Sequence, residues 1–400
     1  MRIALVSDCY HPTKNGVTGM VALLREELAA RGHQVTLIAP RAPRSSNARA
    51  RAGTTSRDTA PPPIDVAVPS VPWLPSVELR LAPRSSRSLQ ELLHRHGSEV
   101  VHTHTEGPLG RAARNAAVSS GIPAVHTLHT LYDHYLHYLA PARLVPDGSA
   151  RILHGALGRF LRPFDRVVAP SLAAVEQVAT VAPMCLPVLI PNGVAPCHPS
   201  GDASSAQQLG HRLGLRDGDR ILVYVGRIAE EKRSRALFDA LARRLPAAAA
   251  VTAVLVGGGG QLRRLRARAA RLGLDDRILL PGYLEHHEVR QLYRLASVFV
   301  TASLSENHPL TLLEAAAAGL PLVVVDDANL GSIVIDGTNG IVAADDDALV
   351  GGALALLDDP RRAQLGEGSR AIAARYPRSG HAARVEALYR MVLEERRALA

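Results

Sequence analysis

The chain has 400 residues, 47% of them hydrophobic, and its formal charge at pH 7 is +9. This length is too great for one ordinary hydrophobic core, so two domains are expected. The basic balance suits phosphates or an anionic membrane, but only 4% of the residues are aromatic and no nucleic-acid-binding motif occurs, which argues against a nucleic-acid partner.

Targeting and redox features favour the cytoplasm. The apolar run before Asp8 is short, so it indicates a first strand rather than a signal peptide. No stretch of the sequence is long and apolar enough to span a membrane. The three cysteines show neither metal-ligand spacing nor a disulfide framework. We expect a cytoplasmic protein, and peripheral contact with the inner face of the membrane stays open.

Short apolar runs alternate with helical stretches along the whole chain. Candidate strands of the first half are RIALVS, VTLIA, DVAV, VVHTH, RVVAP and VLIP; those of the second half are RILVYVG, TAVLVGG, RILLPG, SVFVTAS and PLVVVD. Continuous apolar strands alternating with helices are typical of parallel sheets covered on both faces. Because the pattern occurs twice, the sequence predicts an α/β fold with two doubly wound, Rossmann-like domains.

Four segments lie outside this alternation. The Pro-, Gly- and Ser-rich residues 191–208 are the predicted boundary between the domains. Residues 41–63 carry five arginines and almost no large apolar residue, which predicts a mobile loop. A basic helix is expected at 87–96; with that loop it suits an anionic membrane, and an ordinary surface helix is the alternative. Residues 379–400 predict an amphipathic helix, which we expect to pack on the first domain.

The second domain opens with a strand that runs into Gly226 and Arg227, followed by Lys232 near a helix start. Glycine allows a tight turn off the strand, and two cations then lie at the carboxyl edge of the sheet. A guanidinium and an ammonium at this spacing suit a diphosphate. The alternative is an ordinary ion pair of Arg227 with Glu230 or Glu231. The glycine-rich turn at 256–262 is a weak signal by itself.

The stretch SENHPLTLLEAAAAGLP, residues 305–321, places two acids around a helix start. Pro309 marks the beginning of the helix and Gly319 its end. Glu306 then lies on the incoming loop, and Glu314 lies one to two turns into the helix. A helix N-terminus suits an anion whereas carboxylates suit hydroxyls, so the motif predicts a ligand that carries both.

Glycine, histidine and tyrosine mark the first domain. Gly16 stands in a turn before a helix, where the backbone approaches a ligand closely. Tyrosines recur at three-residue spacing from Tyr132 and Tyr135 onward, a stripe for which core packing is the default interpretation. Many histidines raise the alternative of a zinc site, which Glu106 and Asp133 would complete. These histidines are His102, His104, His126, His129, His134 and His137.

Several phrases resemble, in order, the retaining glycosyltransferases of family 4, which have the GT-B fold. They are GRIAEEK, VGGGG, LPGYL and SLSENHPLTLLEAAAAGLPLVV, together with GHQVTLIAP, GIPAVHTLHT and IPNGV. The resemblance covers nearly the whole chain. It implies a GT-B architecture of two Rossmann-like domains facing a central cleft, with residues 1–195 binding the acceptor and residues 196–378 binding a nucleotide sugar.

The resemblance also implies residue roles. Glu314 would bind the ribose hydroxyls, and Glu306 would bind a hydroxyl of the transferred sugar. Arg227 and Lys232 would neutralise the diphosphate, and His129 would line the reacting centre. The backbones of Gly16, Gly226, Leu310 and Thr311 would complete the donor site. The tyrosine run is similar to the bacterial branch that glycosylates diacylglycerol, so Tyr132 and Tyr135 are predicted to contact the acceptor.

The implied reaction is hexosyl transfer from a UDP- or GDP-sugar to an acceptor hydroxyl, with retention and with neither metal nor cofactor. A membrane lipid such as diacylglycerol is the expected acceptor, and a soluble molecule such as an aglycone or an inositol is the alternative. A sugar-nucleotide epimerase and a silent nucleotide-sugar binder stay open as other functions. At residues 307–309 the chain departs from the family, which has a small residue, Phe and Gly there. Since Pro309 lacks an N–H, the identity of the hexose stays open.

Overall fold

The computed structural model describes residues 1–10, 15–41, 63–73, 76–132, 149–197, 203–248 and 250–399. The chain divides into unit 1, which comprises Met1–Gly193 and Arg378–Ala400, and unit 2, Val194–Pro377. The predicted mobile loop at 41–63 lies, except for its first and last residues, outside the described part, and its prediction stays untested.

Unit 1 is built on a sheet of seven parallel strands in the order β3-β2-β1-β6-β7-β8-β9, and a separate antiparallel hairpin joins β4 to β5. The strands are β1 Arg2–Val6, β2 Gln34–Pro40, β3 Val66–Val68, β4 Val71–Trp73, β5 Ser76–Leu81, β6 Val100–Thr103, β7 Ala124–Thr127, β8 Arg166–Ala169 and β9 Pro187–Leu189. The helices are α1 Gly16–Ala30, α2 Ser86–Arg95, α3 Pro108–Ser119, α4 Ser149–Leu161 and α5 Leu172–Val181.

Unit 2 has a sheet of six parallel strands in the order β12-β11-β10-β13-β14-β15. The strands are β10 Arg220–Val225, β11 Val251–Val256, β12 Ile278–Gly282, β13 Val298–Thr301, β14 Leu322–Val325 and β15 Gly340–Ala343. The helices are α6 Ala203–Leu213, α7 Ser234–Arg244, α8 Leu262–Arg271, α9 His286–Leu295, α10 Leu310–Ala317, α11 Asp346–Asp358 and α12 Arg362–Ala373. The last helix, α13 Arg378–Leu399, belongs to unit 1.

Both faces of the unit 1 sheet are covered. Along β1, Ala4 and Val6 enter one hydrophobic core, with residues of α2 and α3. Ile3 and Leu5 enter a second core, with residues of α1 and α13. A strand buried on both sides is apolar along its whole length, which is why these strands read as unbroken apolar runs. The predicted α/β architecture with two parallel sheets is confirmed.

All the predicted strands are present, but four strands were missed. In β7, His126 and Thr127 interrupt the apolar pattern, yet both are buried because side-chain hydrogen bonds satisfy them. The hairpin of β4 and β5 and the edge strand β15 carry too short or too mixed a pattern for the apolar-run criterion. The predicted last helix is confirmed: four apolar residues on one of its faces, Val385, Leu388, Tyr389 and Val392, are all buried.

Each sheet has one point where its strand order reverses. In unit 1 this point is β1, between β2 and β6; in unit 2 it is β10, between β11 and β13. Doubly wound sheets bind ligands beyond the carboxyl ends of the strands at such a point. The residues that follow β1, β6, β10 and β13 are therefore the first place to search for a site.

Candidate active site

In unit 2, the turn that leaves β10 is fixed by close backbone packing. A Cβ atom on Gly226 would lie 2.6 Å from the hydroxyl of buried Tyr224, which donates a hydrogen bond to the carbonyl of Arg227 at 2.9 Å. Gly257, at the end of β11, has φ +141°, and a Cβ there would lie 1.8 Å from the carbonyl oxygen of Gly226. The glycine-rich run is therefore needed to bring two backbone segments together.

Arg227 pairs with a buried acid. Its guanidinium lies 2.6 Å from the carboxylate of Glu231, whose side chain is fully buried, while Arg227 itself is one-third exposed. One of the two predicted pairings of Arg227 is thus present. Because burial fixes the Glu231 carboxylate, this ion pair orients the guanidinium of Arg227 as well as balancing its charge.

Lys232 and Glu306 meet at the reversal point of the sheet. The ammonium of Lys232 lies 2.9 Å from the Glu306 carboxylate, and the two side chains are only 14% and 15% exposed. The ends of β10 and β13 bring these residues together across more than 70 positions of sequence. Burial opposes ionisation of Glu306, but Lys232, the Ser303 hydroxyl and Arg227 outweigh it and keep the pKa of the carboxyl below its usual range.

Helix α10 begins directly after this pair. Its N-cap is Pro309, whose side chain makes no cap hydrogen bond. Leu310 and Thr311 form the first turn, where backbone N–H groups have no partner inside a helix. This start of α10 can therefore hold an anion. Asn307 and His308, where the sequence differs from the family pattern, are both buried in unit 2.

Glu314 lies in the second turn of α10. Its carboxylate is 2.9 Å from Nε2 of His286, the first residue of α9, and its side chain is 22% exposed. A half-buried carboxylate whose partner is an exposed histidine remains able to accept hydroxyl hydrogen bonds. No sequence signal had pointed to His286.

In unit 1, Gly16 is the first residue of α1, which Asn15 caps by accepting a hydrogen bond from the Thr18 N–H at 2.9 Å. Nothing lies within 4 Å of the position of a Cβ on Gly16, so there is room beside this backbone. The carboxylate of Asp8, just after β1, accepts hydrogen bonds from the backbone N–H groups of Leu109 at 2.8 Å and Gly110 at 3.0 Å, in the first turn of α3. Asp8 follows the end of a buried strand, which is a position typical of functional residues, but it was not predicted as a site residue.

His129 lies just beyond β7, and its Nε2 is 3.1 Å from Nδ1 of His104, just beyond β6. Burial is the main cause that lowers the pKa of His129 to about 3, and it also lowers the pKa of His104 well below the usual range. Both rings are therefore neutral at neutral pH. The pairing of His104 with His129 was not predicted.

Two neighbouring histidines are fully satisfied structural groups. His102 is 2.6 Å from the hydroxyl of Tyr389 and 2.7 Å from the hydroxyl of Thr127. His126 is 2.8 Å from the hydroxyl of Thr103 and 3.1 Å from the carboxylate of Glu106. Within the described ranges, no group of three or more His, Cys, Asp or Glu residues is arranged to hold a metal ion.

Tyr132 hydrogen-bonds the Glu106 carboxylate, and burial together with that negative charge raises the pKa of its hydroxyl well above the usual range. Tyr132 is half-buried and packs against the hydrophobic core of unit 1. The other predicted acceptor residue, Tyr135, lies outside the described residues, as do Asp133, His134 and His137. Among the described helices, none has the length and apolar character required to cross a membrane.

Comparison with known proteins identifies the family. The family model "Glycosyltransferase Family 4" matches residues 14–196, and "Glycosyl transferases group 1" matches residues 207–371. The alpha-monoglucosyldiacylglycerol synthase of Streptococcus pneumoniae is 28% identical over 367 residues, which is 89% of this chain and 78% of that protein. The D-inositol 3-phosphate glycosyltransferase of Xylanimonas cellulosilytica is 32% identical over 292 residues, 70% of this chain and 68% of that protein.

Solved structures agree on the fold. Sucrose-phosphate synthase from Thermosynechococcus elongatus superposes with a TM-score of 0.73 at 20% identity, over 98% of this chain and 99% of that one. Anabaena HepE in complex with UDP-glucose gives a TM-score of 0.71 at 18% identity, over 96% and 98%. With two doubly wound parallel sheets and family matches along both units, this chain belongs to glycosyltransferase family 4 and is a glycosyltransferase of the GT-B fold.

Proposed function

We propose that the protein transfers a hexosyl group from a nucleoside diphosphate sugar to an acceptor hydroxyl, with retention of the anomeric configuration and without a metal ion. The observation that carries the proposal is the Lys232–Glu306 pair beside the start of α10, whose N-cap residue Pro309 makes no side-chain cap hydrogen bond. A cation and a carboxylate thus lie beside the first turn of a helix at one sheet edge. HepE, solved with UDP-glucose, supports a donor of this class.

The diphosphate is held by charge and by backbone. Arg227, held by Glu231, and Lys232 supply positive charge, and the backbones of Gly226, Leu310 and Thr311 approach the phosphate oxygens. Glu314 accepts hydrogen bonds from the ribose hydroxyls. Lys232 thus neutralises Glu306 in the absence of donor and helps to neutralise the diphosphate in its presence.

Catalysis rests on stabilising the leaving group. As the bond from the anomeric carbon to the phosphate oxygen breaks, negative charge builds on the diphosphate, where Arg227, Lys232 and the positive end of α10 stabilise it. The departing phosphate oxygen takes the proton of the acceptor hydroxyl, whose oxygen forms the new bond on the same face of the sugar. Glu306 orients the transferred sugar through a hydroxyl, and no protein nucleophile is required.

The acceptor is proposed to be a membrane lipid such as diacylglycerol. The supporting observations are the relatives that are named alpha-monoglucosyldiacylglycerol synthases and match nearly nine-tenths of the chain. Tyr132 and Tyr135 are the residues proposed to contact the lipid. A soluble inositol phosphate is the second candidate, because the relatives named D-inositol 3-phosphate glycosyltransferases reach 32% identity.

One assay separates these acceptors. Nucleotide release is measured from a panel of UDP-, GDP- and ADP-sugars, alone, with bacterial lipid extract and with D-inositol 3-phosphate. Release that rises with lipid supports the glycolipid product, and release that rises only with inositol phosphate replaces it by the soluble one. A donor that binds without release under any condition would overturn the transferase proposal.

Membrane contact is proposed for α2, where Arg87 and Arg95 are exposed. We expect the double variant Arg87→Glu/Arg95→Glu to lose co-sedimentation with anionic vesicles, because each basic residue at such a surface contributes about 1 kcal/mol. The matched control is Arg263→Glu/Arg264→Glu, an equal charge change on exposed positions of α8. Equal loss in both variants would assign vesicle binding to net charge and remove α2 from the proposal.

A further inference from the structure

Among the residues that the structure describes, buried His104 makes a hydrogen bond through one ring nitrogen. It is 3% exposed, its Nδ1 faces Nε2 of His129 at 3.1 Å, and its own Nε2 has no hydrogen-bond partner within the described ranges. The neighbouring rings of His102 and His126, by contrast, have partners at both nitrogens. A buried polar atom without a partner is costly, so its persistence calls for a reason.

The two rings are held in a fixed geometry. The ring of His104 has the rings of His102 and His129 as neighbours, with ring centroids 4.1 Å and 5.4 Å away. The planes of His104 and His129 are 26° apart, and Nδ1 of His104 lies 3.1 Å from Nε2 of His129, within hydrogen-bond distance. The single bond of His104 is therefore directed at His129.

Only one of the two neutral rings can donate in this bond. If His129 donates from Nε2, then His104 must carry its proton on the isolated Nε2 and bury a donor with no acceptor. If His104 donates from Nδ1, its isolated Nε2 carries a lone pair and is a buried acceptor with no donor. Orphaned buried N–H groups are the rarer defect in proteins, so the second arrangement is favoured.

We infer that His104 is a positioning residue that fixes His129 in the form protonated on Nδ1. With Nε2 of His129 occupied as an acceptor, the ring proton is on Nδ1, which lies on the other side of the ring from His104. If the proposed function holds, on which this step rests, His129 donates a hydrogen bond from Nδ1 to an oxygen of the sugar or the acceptor. It does not act as a base that removes a proton.

The form of His129 can be measured without any turnover. Long-range proton–nitrogen NMR on protein labelled with nitrogen-15 at histidine distinguishes Nδ1–H from Nε2–H rings, and His129→Gln identifies the signals of His129 by their loss. A free neutral histidine prefers Nε2–H, so an Nδ1–H pattern at His129 is a specific expectation. An Nε2–H pattern in the wild-type protein overturns the inference, whatever the enzyme does.

Variants test the role of His104. His104→Asn keeps a donor near the position of Nδ1 and is expected to leave His129 in the Nδ1–H form, whereas His104→Leu removes the donor and returns His129 to Nε2–H. The control is His94→Leu, the same change at an exposed histidine of α2, which leaves the His129 pattern as it was. An Nδ1–H pattern that persists in folded His104→Leu removes the positioning role.

Turnover supplies the independent readout. We expect His104→Leu to lower kcat about 10-fold, the worth of one hydrogen bond, and His104→Asn to recover part of it. Absence of glycosyl transfer in the wild-type protein would overturn the proposed function but leave the NMR result on His104 and His129 intact. A shift of His129 to Nε2–H in His104→Leu without any change in kcat would overturn the assignment of His129 as a donor to substrate.

Discussion

Lys232 and Glu306 depend on each other for their charge. Lysine and glutamate are costly to bury alone, and here both are about 15% exposed and 2.9 Å apart. Removing either one takes away the nearest opposite charge of the other beside the start of α10. Substitutions at this pair therefore test both stability and activity, and the two effects must be measured separately.

Lys232→Met should lower kcat by about 100-fold, because one preorganised cation beside the departing phosphate is lost. Steady-state kinetics with the preferred donor check this, and thermal unfolding shows whether the variant is folded. Arg235→Ala is the control, since Arg235 lies on the neighbouring helix with a side chain that is 69% exposed. Wild-type kcat in folded Lys232→Met would exclude the proposed role.

Glu314→Gln should raise KM for the donor by about 10- to 100-fold with little change in kcat. A carboxylate–hydroxyl hydrogen bond contributes about 1.5–3 kcal/mol, and a ribose contact is made equally in ground state and transition state. Glu367→Gln serves as the control at an exposed acid of α12. A fall in kcat at unchanged KM would place Glu314 at the reacting centre instead.

Contacts between distant residues could be predicted only where a sequence motif indicates the positions of both residues. Arg227, Lys232, Glu306 and the start of α10 follow from two local phrases, because strand ends and helix starts leave local signatures. The approach of His104 to His129 depends on β6 and β7 being neighbours in the sheet. Strand order is a long-range property, so a single sequence contained no signal for that contact.

At the scale of elements, the hydrophobic pattern of the sequence identifies some strands of the two sheets and misses others. Strands with long unbroken apolar runs, such as β1, β10 and β11, were identified. β7 was missed because its polar half is buried through hydrogen bonds to side chains from other strands, among them Thr103. The composition of such a strand resembles that of a loop, and only its hydrogen-bond partners in the fold explain why it is buried.

The glycine run after β11 supports the turn after β10. We expect Gly257→Ala to destabilise the protein by about 2 kcal/mol or more and to lower Tm by about 4–8 °C, because φ is +141° and the new Cβ would collide with the carbonyl of Gly226. Gly260→Ala is a matched control three residues on, where nothing lies within 4 Å of the added Cβ. Differential scanning calorimetry compares the two, and equal Tm values would contradict the packing argument.

At the scale of the whole molecule, the buried histidines of unit 1 make stability depend on pH. Burial lowers the pKa of His102, His104 and His129 below the ordinary value of 6.5, and for His129 to about 3. A group whose pKa is lowered in the folded state binds protons preferentially when unfolded. The stability that it contributes is complete above pH 6.5 and is lost as the pH falls toward the folded-state value.

Urea unfolding should therefore show a free energy of unfolding that declines between about pH 6.5 and pH 5, by up to about 1.4 kcal/mol per pH unit for each histidine. His104→Asn removes one of these groups and should make the decline shallower. A free energy of unfolding that stays level or rises over this range, in the wild-type protein, would contradict the neutral burial of the cluster.

Helix α13 also sets an order of events during synthesis. Four of its apolar side chains complete the core beneath β1, and Tyr389 satisfies His102. All of unit 2 leaves the ribosome before this helix does. The core that α1 and α13 share on one face of the first sheet therefore stays incomplete while the second half can already fold. Chaperones that shield nascent apolar surface should accordingly bind residues 1–193 and release them only once α13 has emerged.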